Sequence, residues 1–187
     1  LILTTTIVLS GCTDTAQQSN NNSSESENAK TDINQEDFSF YHTDGSIKKL
    51  SDYRGKIVIL DMWATWCSPC QYQMLELLKI YQHYDEQDVQ ILSIDIYNSE
   101  TLDQIKDFIQ EFADYGYHLN WTFGKEKDSL DKYMPEGSIP TIAIFDQDGT
   151  LTYRHSGLAF FDQIPKEYPT NQPTPPLLKQ KIDVLIE

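Results

Sequence analysis

Residues 66–70 read Trp66-Cys67-Ser68-Pro69-Cys70. They stand between an apolar, strand-like run, Ile57-Val58-Ile59-Leu60-Asp61-Met62-Trp63, and a helical spacing of apolar residues at Met74, Leu77, Leu78 and Tyr81. Two thiols separated by two residues at the start of a helix can close into a small disulfide loop and open again. The helix N-terminus carries about half a positive charge, which favours the thiolate at the first cysteine. A reversible dithiol/disulfide switch is the chemistry that this spacing supports.

Other chemistries fit these residues less well. The remaining cysteine, Cys12, lies far towards the N-terminus, so Cys67 and Cys70 have no further cysteine beside them. A structural zinc site takes four ligands of Cys or His type. His42, His83, His118 and His155 stand on separate segments, none close to a cysteine in sequence. Gln71 after Cys70 removes the C-x-x-C-H pattern of covalent haem attachment. A disulfide placed for stability alone is also disfavoured, because a two-residue loop constrains little of the unfolded chain. No metal and no cofactor is expected.

The elements that hold this pair occupy only part of the chain. Residues 1–11 are apolar or small and end at Cys12. They are too few to span a bilayer, which takes about 20 residues, and they fit the apolar part of a secretion signal. Leu9-Ser10-Gly11-Cys12 looks like a lipobox, after which Cys12 would become a lipid-modified N-terminus; an uncleaved signal anchor is the alternative. Neither Met nor a basic segment precedes the apolar run, so the sequence is read as starting late. Both alternatives place the protein outside the cytoplasm, attached to the cell membrane, where disulfides persist.

Residues 12–37 hold almost nothing apolar and are read as a disordered, lipid-anchored tether with a reach of roughly 25–30 Å. The net charge is -15, and the tether holds six acidic residues and one lysine, leaving about -10 on residues 38–187. Such a surface does not bind nucleic acid by counterion release. It also repels anionic head groups, so lipid rather than charge is the expected anchor.

Residues 38–187 suit one α/β domain with one core. Phe38–Tyr41 and Ile47–Leu50 flank Asp44-Gly45, a hairpin signal. The spacing predicts a helix from Cys67 to about Tyr84, a buried strand over Val89–Ile96 and a helix over Thr101–Tyr115. It then predicts a strand near His118–Phe123, a short helix near Ser129–Met134, strands at Thr141–Phe145 and Leu151–His155, and a closing helix over Leu177–Ile186. Residues 157–176, rich in Pro and aromatics, read as an irregular insertion that shapes the substrate face or covers an edge strand.

Three stretches resemble the thioredoxin superfamily, and within it the membrane-tethered TlpA/ResA-type thiol–disulfide oxidoreductases. They are Asp61-Met62-Trp63-Ala64-Thr65-Trp66-Cys67-Ser68-Pro69-Cys70, then Gly137-Ser138-Ile139-Pro140-Thr141 followed by an apolar strand and Asp148-Gly149, and Leu50-Ser51-Asp52-Tyr53-Arg54-Gly55-Lys56 after the hairpin. The resemblance spans about residues 36–160 and the last helix. It implies a thioredoxin-like fold, a mixed central sheet flanked by helices with an added N-terminal β-hairpin.

It also implies roles. Cys67 would be the attacking thiolate and Cys70 the thiol that resolves the mixed disulfide. Pro140 would be the family's cis-proline facing the dithiol, leaving the backbone of Ile139 to pair with an extended substrate strand. Asp61, six residues before Cys67, would be a buried carboxylate that exchanges a proton with Cys70; a solvated or backbone-bonded Asp61 is the alternative. Trp66 would pack on the dithiol as a platform and Trp63 in the core. Trp66, Ser68, Pro69, Ile139 and Pro140 are the expected substrate contacts, with Thr65 and Ser68 as possible tuners of the thiolate.

Two positions depart from the family: Leu75 replaces a helix-kinking proline, implying a straighter helix, and Gln73 replaces a frequent glutamate, removing an acidic group near the site. The implied protein is a monomeric reductase of disulfides in secreted or membrane proteins, recharged by a membrane or periplasmic electron donor. The alternatives are an oxidant that introduces disulfides and a copper chaperone using Cys67, Cys70 and a distant histidine such as His155. Copper chaperones of this fold space their cysteines by three residues, however, and a peroxiredoxin would need a Thr-x-x-Cys that is absent around Cys67.

Overall fold

Short apolar and β-branched runs form β1 (Ser39–His42), β2 (Ile47–Lys49), β3 (Ile57–Trp63), β4 (Val89–Asp95), β5 (Thr122–Glu126), β6 (Thr141–Phe145) and β7 (Leu151–Ser156). Three longer amphipathic stretches form α1 (Ser68–His83), α2 (Leu102–Asp114) and α3 (Leu178–Ile186). The computed structural model describes residues 36–186; the leader 1–11, Cys12 and the tether as far as residue 35 lie outside them. The strands make one sheet in the order β2-β1-β5-β4-β3-β6-β7. Its centre, β5-β4-β3, is parallel, while β6, β7 and the β1-β2 hairpin are antiparallel. This is the thioredoxin-like mixed sheet with an added N-terminal hairpin.

Every residue of β3 is buried, as a central strand covered on both faces requires. Ile57, Ile59 and Trp63 on one face pack with Met74 and Leu77 of α1, Phe108 of α2 and Ile182 of α3. Val58, Leu60 and Met62 on the other meet Phe38, Phe40, Leu50 and Tyr133. All three helices therefore contribute to one core, and the hairpin aromatics close the opposite face. The helix expected near 129–134 is a single 3-10 turn, Asp131–Tyr133. Leu130, Tyr133 and Met134 all plug the second core, and Pro135 disfavours helical backbone at Met134.

The strand expected from His118 pairs only from Thr122 onwards. Leu119 and Trp121 are buried ahead of the ladder, so their alternation with Phe123 reports the buried face and not the start of pairing. Gly124 lets β5 pass β1 closely: a Cβ there would lie 2.5 Å from the Tyr41 carbonyl oxygen and 2.6 Å from the Phe40 ring. Glu36 and Asp37, read as tether, are already bound to the domain. Glu36 N–H donates to the Gly149 carbonyl (3.0 Å), its carboxylate meets Lys132 and Tyr133, and Asp37 accepts from Ser51.

The insertion after β7 packs along α1. Ala159, Phe160 and Phe161 are buried, and Phe160 bridges to Leu177. Gln73, inside α1, grips Ala159 at both backbone groups, donating to its carbonyl (3.0 Å) and accepting from its N–H (2.9 Å). Buried Glu76 accepts from Phe161 N–H (2.9 Å) and pairs with Lys79. An ionised glutamate at position 73 could accept but not donate, so glutamine is the side chain that suits this strap. Helix α1 runs through Leu75 without a break.

Replacing Gln73 by Leu strands two buried backbone groups, each worth about 1–3 kcal/mol when left unpaired. Urea unfolding is expected to show a loss of roughly 2–4 kcal/mol, with limited proteolysis moving into residues 162–176. An unchanged midpoint together with an intact strap would contradict this account.

Candidate active site

Strand β3 ends at Trp63, and Ala64-Thr65-Trp66 turns the chain into α1. Cys67 N–H closes this turn on the Ala64 carbonyl (3.1 Å). Cys67 is the N-cap of α1, and Pro69 sits in the first turn, where a missing N–H is tolerated. Cys67 and Cys70 form a disulfide with their Cα atoms 5.2 Å apart. Cys70 N–H donates to Sγ of Cys67 (3.2 Å). Cys67 retains 4% exposure and Cys70 none, so Cys67 is the more accessible residue of the pair. Negative charge developing there is met by the helix N-terminus and by the Cys70 N–H.

The turn is held at three points. Thr65 N–H donates to Oε2 of Glu100 (3.0 Å), and its hydroxyl donates to Oε1 of the same carboxylate. The Thr65 carbonyl accepts from Nε2 of Gln71 (3.0 Å). Trp66 is 61% exposed and meets Tyr97 edge-on at 5.5 Å. Ser68 and Pro69 are exposed beside Cys67.

The Ile139–Pro140 peptide is cis. Because Thr141 pairs with Met62, the register sets Pro140 level with Trp63, at the end of β3 that launches the dithiol turn. Among the described residues no backbone hydrogen bond engages Ile139, whereas the Pro140 carbonyl accepts from Gly157 N–H (2.8 Å). Trp66, Ser68, Pro69, Ile139 and Pro140 thus share one end of the sheet. His155, on β7, lines a cleft of about 680 Å³ between Tyr72 and the strap. Among the described residues no three His, Cys, Asp or Glu side chains are grouped as metal ligands.

Asp61 lies in mid-β3 and is fully buried. Its Oδ2 accepts from the Ser93 hydroxyl (2.8 Å), and Ser93 accepts from the Trp121 indole N–H (2.9 Å). An indole N–H can only donate, so Ser93 is the acceptor in its bond with Trp121. No described residue bonds to Asp61 Oδ1, which is buried. Burial pushes Asp61 up to about 7, with the Ser93 hydrogen bond opposing it. Ser93 Oγ also lies 3.9 Å from Sδ of Met74, one helical turn after Cys70, which places the carboxyl beneath the dithiol helix.

Sequence reasoning missed Ser93, Glu100, Asp95 and Tyr97. Asp95, buried between Ile94 and Ile96, carries the same sign as Asp61, a carboxylate interrupting an apolar run. Glu100 sits in a polar loop and carries no such sign.

The proton on Asp61 links stability to pH. Its value is 3.8 in the unfolded chain and about 7 in the fold, so the fold retains a proton that the unfolded chain has released between them. The associated stability is complete below about pH 4 and lost as pH rises through about 7. A gap of this size is on the order of 4 kcal/mol. Asp61→Asn keeps an acceptor for Ser93 without the charge. In urea titrations it is expected to match the parent near pH 4 and to exceed it by up to ~4 kcal/mol near pH 8. A difference that does not depend on pH would remove Asp61 from this role.

The AhpC/TSA family profile matches residues 33–154. The chain is 31% identical over 116 residues to the thiol-disulfide oxidoreductase ResA of Geobacillus kaustophilus, a match covering 62% of this chain and 63% of that relative's length. The crystal structure assigned to a DsbE thiol:disulfide interchange protein of Chlorobium tepidum superposes with a TM-score of 0.62 at 21% identity, covering 82% of this chain and 96% of that one. The exposed lipoprotein thioredoxin Etrx1 of Streptococcus pneumoniae gives a TM-score of 0.52 at 29% identity, covering 66% and 90%. With the profile spanning well over half of its length and the dithiol, cis-proline and sheet in place, the chain belongs to the AhpC/TSA family and has the thioredoxin-like fold.

Proposed function

We propose that the protein is a thiol–disulfide oxidoreductase that reduces disulfides of secreted or membrane proteins from the outer side of the membrane. The observation that carries this reading is the Cys67–Cys70 disulfide at the N-terminus of α1, with Cys67 the more exposed residue and Cys70 fully buried. In the reduced protein the Cys67 thiolate attacks a substrate disulfide; one substrate sulfur leaves as thiolate and takes up a proton. Cys70 then gives its proton to Asp61 and attacks Sγ of Cys67, releasing the second substrate thiolate. Two electrons pass to the substrate, and the Cys67–Cys70 bond forms. A dithiol donor at the membrane reverses the exchange to recharge the pair.

Burial supports the role of Asp61. Cys70 has no path to solvent, and an acid pushed up to about 7 can both take and return a proton near neutral pH. The unengaged backbone of Ile139 suits an extended substrate strand laid beside Cys67. The tether and lipid on Cys12 are supported by the lipobox-like tetrad and by the relative that is itself an exposed lipoprotein. Among the described residues no helix is long and apolar enough to cross a membrane. The reducing direction rests on the ResA-type resemblance.

One feature favours the opposite direction: the helix N-terminus stabilises the Cys67 thiolate, and hence the reduced form, which makes a pair more oxidising. The reduction potential separates the two. Equilibration with glutathione or dithiothreitol is expected to give about -230 mV or lower, whereas a value above about -150 mV would make the protein an oxidant. Cys70→Ser is expected to accumulate mixed disulfides through Cys67 and to lose turnover, while Cys67→Ser traps none. Trapping through Cys70 instead would overturn the assignment of attacker.

A further inference from the structure

The cleft of about 680 Å³ beside Tyr72 adjoins the site through two separate elements. Tyr72, on α1, stands two residues beyond Cys70 and is 41% exposed. Gly157, just after β7, donates its N–H to the Pro140 carbonyl (2.8 Å), so the cleft continues from the cis-proline edge. The strap supplies the rest. Its rings run outwards from α1: Tyr72 meets Phe160 edge-on at 6.1 Å, and Phe160 meets Tyr168 edge-on at 5.6 Å. Pro165, Pro169, Pro173 and Pro175 line the same cleft. Each has its φ locked, so this wall loses little freedom when a chain is laid against it.

The charges lining this cleft are of one sign. Glu136 comes from the segment that leads into the cis-proline, and Glu167 from the strap. Both are exposed, and neither is in an ion pair among the described residues. No lysine or arginine lines the cleft, and His155 is its one ionisable group besides the carboxylates and phenols. Lys132 pairs with Glu36, and Lys166 lines a separate hollow of the strap. Carboxylates without a partner, beside aromatic rings, suit a guanidinium or ammonium group, by ion pairing and by contact with a ring face. An anionic segment would meet repulsion from a chain whose net charge is already -15.

We propose that this cleft is the substrate-recognition subsite of the dithiol, taking an extended polypeptide that carries an arginine or lysine a few residues from its reacting cysteine. The inference rests on the thiol–disulfide reading and gives that reading a substrate class. Tyr72 lies five residues beyond Cys67, which is about 7–8 Å at the rise of a helix. An extended chain covers that length in about two or three residues. A substrate strand beside Ile139, with its sulfur at Cys67, therefore brings a residue two to four positions from its cysteine into the cleft. The aliphatic stem of the basic side chain packs on Tyr72 and Tyr168, and its charged end reaches Glu136 and Glu167. The exchange of sulfurs is unchanged; the cleft selects which disulfide is held for it.

The test uses the whole 187-residue chain, reduced, and short peptides whose single cysteine is disulfide-linked to mercaptoethanol. The peptides differ only in carrying Arg, Gln or Glu three residues from the cysteine, on either side. At low ionic strength the Arg peptide is expected to react roughly five- to twentyfold faster than the Glu peptide, with Gln between them. A nearby charge also alters a peptide's own reactivity, so the Arg-to-Glu rate ratio of the parent is divided by that of Glu136→Gln/Glu167→Gln. This quotient is expected to be roughly three- to tenfold and to fall towards one at high salt. Asp88→Asn/Asp148→Asn removes two charges where β3 begins and β6 ends, away from the dithiol, and is expected to keep the parent's ratio. A quotient of one overturns the proposal. So does a control that lowers the ratio as far as the cleft variant, since overall charge then explains the preference.

Binding without chemistry separates the cleft from the functional reading. The Arg peptide with its cysteine replaced by serine, titrated into the disulfide form, should move the NMR amide signals of Gly157, Glu167 and Tyr168. The matching Glu peptide should not. A chain that shows these shifts and reduces none of the disulfide peptides overturns the functional reading and retains a cleft for basic polypeptide. Absent shifts, or equal shifts from both peptides, overturn the cleft's part whatever the rates. The comparison is made on the parent alone, so it also decides if the cleft variant fails to fold.

Discussion

Cys67 is tied into the fold through its sulfur as well as its backbone, because it serves as the N-cap of α1 and its Sγ accepts the Cys70 N–H. A cap residue is the point where extended chain becomes helix, and it is fixed from both sides. Behind it, β3 is immobilised by burial along its whole length, so the Ala64–Trp66 turn leaves from a fixed position. Ahead of it, Met74, Leu77 and Ile80 seat α1 on the same sheet face. The cis-proline segment reaches this place by the β3–β6 register, and Asp61 by the strand's own pleat. Shifting that register by one residue would turn Asp61 to the other face and displace Pro140 as well.

Asp61 and Asp95 point from neighbouring central strands into the face covered by the dithiol helix, and each is a poor choice for stability alone. They are attached to different parts of the site. Asp61 connects through Ser93 and Met74 to the helix that carries the buried cysteine. Asp95 accepts from the N–H of Tyr97, whose ring meets Trp66 in the turn that carries Cys67.

Much of this was legible because it is periodic. β3, α1 and β6 announce themselves by unbroken apolar runs or a helical stripe, and the burial of Asp61 was readable from a charge in the middle of such a run. Asp95 gave the same signal one strand later and was passed over because it lies at the run's end. Glu100 was not legible at all: in Asn98-Ser99-Glu100-Thr101 a clamp and a solvated loop acid look alike until the fold brings Thr65 to it. Nor could the Trp66–Tyr97 pair be read, since its partners come from two loops that only the parallel β3–β4 pairing makes neighbours. For β5, a strand was expected near His118–Phe123, while the ladder runs over Thr122–Glu126.

The departures at Gln73 and in residues 157–176 prove to be one feature. A strap laid along α1 must satisfy the backbone groups it buries, and Ala159 presents a donor and an acceptor together. An amide side chain answers both at once with no charge to bury. The strap in turn walls the cleft beside Tyr72, two residues beyond the buried cysteine, so the substitution inside α1 and the added chain outside it reshape the same surface. What differs here from the TlpA/ResA pattern lies next to the dithiol and leaves the dithiol itself unchanged, which separates the reaction from the choice of partner.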